Sequence, residues 1–81
     1  MCLAINPRPD RYGWLNGSYE TADGEQVLID IMPPGHAWDG QTRLSGFEPH
    51  ATDWVIYIDG DEAGRVRSSD EIEPAIRRAI C

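Results

Sequence analysis

Lysine is absent from this chain: all seven basic residues are arginine, set against 14 Asp and Glu for a formal net charge of −7. That excludes a lysine nucleophile, a Schiff base and the lysine of a phosphate-binding loop. Every cationic contact is a planar guanidinium fork suited to carboxylates. Nucleic-acid binding draws its affinity from a basic face that neutralises phosphates. Seven arginines spread among twice as many carboxylates do not supply one, so direct binding to nucleic acid or an anionic membrane surface is disfavoured. A negative field instead attracts basic surfaces, including those of proteins whose own sites are built for nucleic acid.

Cysteine is also scarce. Cys2 and Cys81 stand near opposite ends, too few for the disulfide framework of a small secreted domain. No basic segment followed by an apolar run opens the sequence, and no apolar stretch is long enough for a bilayer. The expected compartment is the cytoplasm, that of the host cell if the gene belongs to a phage. Catalytic signatures are missing as well: no serine elbow, P-loop, Gly-x-Gly-x-x-Gly or His-Glu-x-x-His occurs. A terminal Cys2 exposed by methionine removal superficially resembles an N-terminal nucleophile hydrolase. Such enzymes need a large sandwich to build an oxyanion hole, and 81 residues are too few. Zinc would have to draw on Cys2, His36, His50 and Cys81, no pair of which has chelating spacing. No metal and no cofactor is expected. Calcium fares no better, because Asp59-Gly60-Asp61-Glu62 lacks the distant glutamate of a calcium loop.

What is present suits one small domain over 1–81. Apolar residues make up 41%, with three Trp, three Tyr and one Phe, enough for a core and against disorder. Leu3 and Ile5 suggest a short strand in an extended arm, 1–12, that Pro7 and Pro9 keep from being helical. Trp14–Thr21 and Gln26–Met32 read as a hairpin across Ala22-Asp23-Gly24-Glu25. A two-residue Asp23-Gly24 loop would set Glu20 and Ser18 opposite Val27 and Ile29. A three-residue loop with Gly24 left-handed pairs Tyr19 with Ile29 and Thr21 with Val27, which keeps apolar groups on one face and is preferred. Residues 33–53 form a long connection, broken by a short strand near Gln41–Phe47. Trp54–Asp59 is apolar on both faces and reads as a central strand. Gly60-Asp61-Glu62 turns it back into a more polar strand, Ala63–Ser68. Ile72, Ala75, Ile76, Ala79 and Ile80 mark a C-terminal helix, with Ser68 and Glu71 spaced as a capping box and Pro74 in the first turn. Ile72, Ile76 and Ile80 are expected on either the Val27/Ile29/Ile31 side or the Trp54/Ile56/Ile58 side. The fold class is α+β: an antiparallel sheet of four to five strands with one helix packed on a face.

Half of all carboxylates fall between Asp53 and Glu73. Asp70, Glu71 and Glu73 suit a helix's first turn and Arg77 and Arg78 its last, so these need no functional account. Asp59, Asp61 and Glu62 at a hairpin tip, with Asp53, remain as candidates for partner binding. Trp38 and Asp39 join them, because an indole in a loop is a common binding anchor. The aromatic residues Tyr12, Trp14, Trp38, Phe47 and Trp54 also have a plainer reading, in which a small domain needs all three Trp for its core.

The function these features favour is a non-enzymatic acidic inhibitor that occupies the basic surface of a larger nucleic-acid-processing protein. Phage anti-CRISPR proteins, anti-restriction proteins and bacterial immunity proteins are similar in size, acidity and lack of catalytic motifs. That likeness is one of composition, and no motif carries it. Two alternatives are a structural or adaptor module and a small-molecule-binding domain centred on His36, Trp38 and His50; on any of these readings a monomer or homodimer is expected.

Overall fold

A computed structural model describes residues 2–37, 46–47 and 51–80. Five strands form one antiparallel sheet. They are β1 (Cys2–Asn6), β2 (Leu15–Glu20), β3 (Gln26–Met32), β6 (Trp54–Ile58) and β7 (Asp61–Val66), in the order β1-β2-β3-β6-β7. Between β3 and β6, β4 (His36–Ala37) pairs with β5 (Gly46–Phe47). A 3-10 turn, Ser69–Glu71, leads into α1 (Ile72–Ile80). The α+β class, the sheet and the C-terminal helix are therefore as the sequence led one to expect.

Alternation along the strands sorts the side chains. Ile29 pairs with Ile58 and Ile31 with Ile56, so the two faces proposed for the helix are a single face. The core there consists of Ile29, Ile31, Ile56, Val66, Ile72 and Ile76, with Leu3, Ile5, Leu15, Tyr19 and Trp54 packed against it. Ile31 and Ile76 are wholly excluded from solvent. The helix lies over β6 and β7 and leaves the β1–β2 part of this face half-exposed. A smaller cluster of Trp14, Met32 and Val55, joined by Tyr12 and Tyr57, lies on the other face. Trp14 stacks on Tyr57 at 5.8 Å between ring centroids.

Three sequence expectations need correction. The residues at 1–12 are not simply an arm, because Cys2–Asn6 is a full edge strand paired with β2. The first hairpin does have a three-residue loop with Gly24 left-handed at φ +83°. In such loops the left-handed residue comes last, so the loop is Ala22-Asp23-Gly24. Thr21 and Glu25 close it through Thr21 N–H to Glu25 O at 2.8 Å and Gly24 N–H to Thr21 O at 3.0 Å. Tyr19 consequently pairs with Val27 and Gly17 with Ile29: the faces are as expected, and the register differs by two residues. The second hairpin is tighter than expected. Asp59 and Gly60, both at positive φ, make the two-residue turn, so β7 begins at Asp61 and takes in Glu62. A bulge between Ile56 and Tyr57 then resets the alternation so that Gly64 and Val66 face the core.

The helix start is as the spacing implies. Ser68 caps it and accepts from Asp70 N–H at 3.3 Å, while the Glu71 carboxylate accepts from Ser68 N–H at 3.3 Å.

Candidate functional site

Strand direction decides where the carboxylates gather. In an antiparallel sheet ordered β2-β3-β6-β7, the β2–β3 turn and the β6–β7 turn fall at the same end. Asp59 N–H donates to Leu28 O at 2.9 Å, which ties the second turn to the start of β3. Glu20, Asp23 and Glu25 around the first turn therefore join Asp59, Asp61 and Glu62 around the second, and all six are exposed. Two strand spacings, about 10 Å, separate the two turns across the sheet, and the β3–β6 register carries the first turn about four residues, roughly 13 Å, further out along the strands.

Among the described residues, only Glu62 of these carboxylates has a cationic partner. It accepts two hydrogen bonds from Arg65, Nε at 3.1 Å and a terminal nitrogen at 3.0 Å. Those bonds hold the Glu62 carboxyl below the usual glutamate range, and Glu62 raises the Arg65 guanidinium in turn. Glu62 lies opposite Tyr57 across the bulge. Burial, and then the Glu62 charge, push the Tyr57 phenol above its ordinary value, while Arg65 partly opposes them. Glu20, Asp23, Glu25, Asp59 and Asp61 make no ion pair with any described residue. Arg78, near the end of α1, lines a groove with Ala63, Gly64 and Arg65 on the helix side of β7.

Asp53 does not belong to this group. It precedes β6, at the opposite end of that strand from Asp59, and lies 4.0 Å from Arg67. Asp70 and Glu71 are in the helix-capping turn, and Glu73 pairs with Arg77 at 3.2 Å. The carboxylate-rich sequence window 53–73 is thus no single patch. Half of the actual cluster, Glu20, Asp23 and Glu25, was missed by reading along the chain. Counting strand directions across β3 and β6 would have found it.

Trp38, Asp39 and His50 lie outside the described residues. His36, in β4, is half-buried with its Cε1 3.9 Å from the position a Cβ on Gly13 would take. Among the described residues no group of His, Cys, Asp and Glu is placed to hold a metal. Trp14 and Trp54 are core residues, in keeping with the plainer reading of the aromatics. Arg11 lies over the Tyr12 ring at 4.9 Å.

Asp10 is the carboxylate with the most local structure around it. Its Oδ1 accepts from Tyr12 N–H at 2.9 Å and Trp14 N–H at 3.1 Å, and its Oδ2 from the Asn16 amide at 3.1 Å. This arrangement folds the β1–β2 loop and delivers Trp14 to Tyr57. No helix among the described residues is long and apolar enough to cross a membrane. Compared with protein-family models, curated proteins and solved structures, the chain matches none.

Proposed function

We propose that this protein acts by binding, not catalysis, and that its hairpin end occupies a basic surface on a larger nucleic-acid-processing protein. It would thereby act as an inhibitor of the anti-CRISPR, anti-restriction or immunity-protein kind. The observation that carries this reading is the convergence of two hairpin turns, which puts Glu20, Asp23, Glu25, Asp59, Asp61 and Glu62 at one end of the sheet. Five of those carboxylates have no cation among the described residues. Fixed, exposed negative charge on a rigid sheet end competes for Arg and Lys side chains that would otherwise meet phosphates, and steers the encounter. Glu62 is held by Arg65 in a set orientation, so its role is at the rim.

The test is capture from the cell that makes the protein, or from a phage's host, with wild type and with a variant carrying D23N, E25Q, D59N and D61N together. Wild type is expected to retain a nucleic-acid-processing protein, to abolish that partner's nucleic-acid binding, and to lose it as salt is raised. The variant is expected to bind roughly tenfold more weakly or worse. Equal retention by the variant, or a partner whose nucleic-acid binding is untouched, would refute the reading.

A further inference from the structure

The two edges of the sheet are built differently. At one edge, β7 carries Asp61, Glu62 and Arg65 and is broken by a bulge, devices that keep an edge from pairing with another strand. At the other, β1 contains no charge, no proline and no irregularity over Cys2–Asn6. Alternate residues of β1 turn their N–H and C=O groups away from β2. Beside it, Ile5, Pro7, Leu15, Ser69, Ile72 and Glu73 line an open groove of ≈ 340 Å³ on the helix face. Leu3 and Ile5 are only half-buried there.

We infer that β1 is a self-association edge, where a second copy of this chain adds its own β1 antiparallel about a two-fold axis at Ala4 and continues the sheet. Three features favour a second copy as the occupant. Full overlap of two five-residue strands places the axis at the middle residue, Ala4, and sets Leu3 opposite Ile5 of the second copy on the helix face. Apolar thus meets apolar, with Leu3 of the second copy at the mouth of the groove. The same operation brings the Arg8 end of each β1 beside the Cys2 end of the other, where Glu20 sits on the neighbouring strand; Arg8 has no ion-pair partner among the described residues. Finally, the antiparallel relation points the two acidic ends in opposite directions, so their mutual repulsion is small beyond a screening length of about 8 Å. This surface is independent of the hairpin-end reading.

Ala4 is exposed and lies on the face away from the helix, so charge can be placed there without touching the core. Sedimentation equilibrium up to millimolar concentration is expected to show a monomer–dimer equilibrium for wild type. A4K and A4E should each weaken the dimer about fivefold or more, because like charges then sit directly opposite across the axis. An equimolar mixture of A4K and A4E should restore it, with unchanged circular dichroism throughout. The D23N/E25Q/D59N/D61N variant should dimerise at least as well as wild type, whatever it does to a basic partner. A wild type that stays monomeric overturns the proposal. So do dimers of A4K as tight as wild type, or a mixture of A4K and A4E that remains monomeric.

Discussion

The two ends of the sheet carry similar numbers of described carboxylates and use them in opposite ways. At the end holding the β1–β2 loop and the helix start, Asp10 accepts three hydrogen bonds, Glu71 closes the helix cap, and Asp53 faces Arg67. At the hairpin end only Glu62 is engaged by a cation among the described residues, and that cation is Arg65. One end uses carboxylates to satisfy backbone donors that folding would otherwise leave bare. The other leaves them to solvent, where they contribute little to stability. Carboxylates that hold no structure are the ones available to a partner, and that asymmetry sharpens the choice of site beyond what net charge alone provides.

The contrast breaks most visibly at Asp10. D10A removes an acceptor from two backbone N–H groups and the Asn16 amide in a half-buried loop. The expected loss is about 2–3 kcal/mol, because hydrogen bonds to charged groups are stronger than neutral ones and the bared donors are partly shielded from water. Urea denaturation measures it, and a midpoint equal to wild type would remove the structural role given to this end. Next in size is S68A at the helix cap, expected to cost about 1 kcal/mol. There the readout is the same midpoint, together with faster amide exchange confined to 69–73.

At the other end the expected effect on stability is nearly nil. D23N, E25Q, D59N and D61N combined should leave stability within about 0.5 kcal/mol of wild type, with any shift toward greater stability as like charges are removed. A loss as large as that of D10A would show that the hairpin end also serves folding, and the asymmetry between the ends would collapse.

Much of this arrangement was legible in the order of residues, and the limits have physical causes. Ile72, Ile76 and Ile80 announce the helix by their spacing, and Ser68 with Glu71 announces its cap, because both signals are local. Trp54–Ile58 is continuous in apolar character because both of its faces are covered, Ile56 by the helix-side core and Val55 by the Trp14–Met32 cluster. The first hairpin's register differs because the expected pairing sets Gly24 in the middle of its three-residue loop, whereas the left-handed residue comes last there, and that choice moves every pair by two. Cys2–Asn6 reads as an arm until β2 is supplied: Gly17 lets it approach, since a Cβ there would come within 2.7 Å of Ala4 O. The acidic cluster was only half visible because chain proximity joined Asp53 to Asp59, which a strand separates. Glu20, Asp23 and Glu25 were left out although pairing between β3 and β6 brings them near.

The smallest expected effects are those of pH at the β7 edge, and their signs follow from which protonation state the fold favours. Glu62 titrates below an ordinary glutamate because Arg65 donates to its charged form. Its contribution to stability is therefore present above the unfolded-state value and is lost as pH falls through the folded one. Both side chains are exposed, so this change is minor. Tyr57 runs the other way: burial and the Glu62 charge disfavour the phenolate, and the associated stability is present below the unfolded-state value and lost as pH rises past it. An ultraviolet titration of tyrosinate in wild type should therefore show Tyr57 ionising above an ordinary tyrosine, an assignment Y57F identifies by removing that step. E62Q should bring the step down toward the ordinary value, because it deletes the repelling charge and leaves Arg65 to favour the phenolate. A Tyr57 titration unmoved by E62Q would mean that Glu62 does not lie against the phenol, and with it would go the reading of Glu62 as a carboxylate oriented by its own strand.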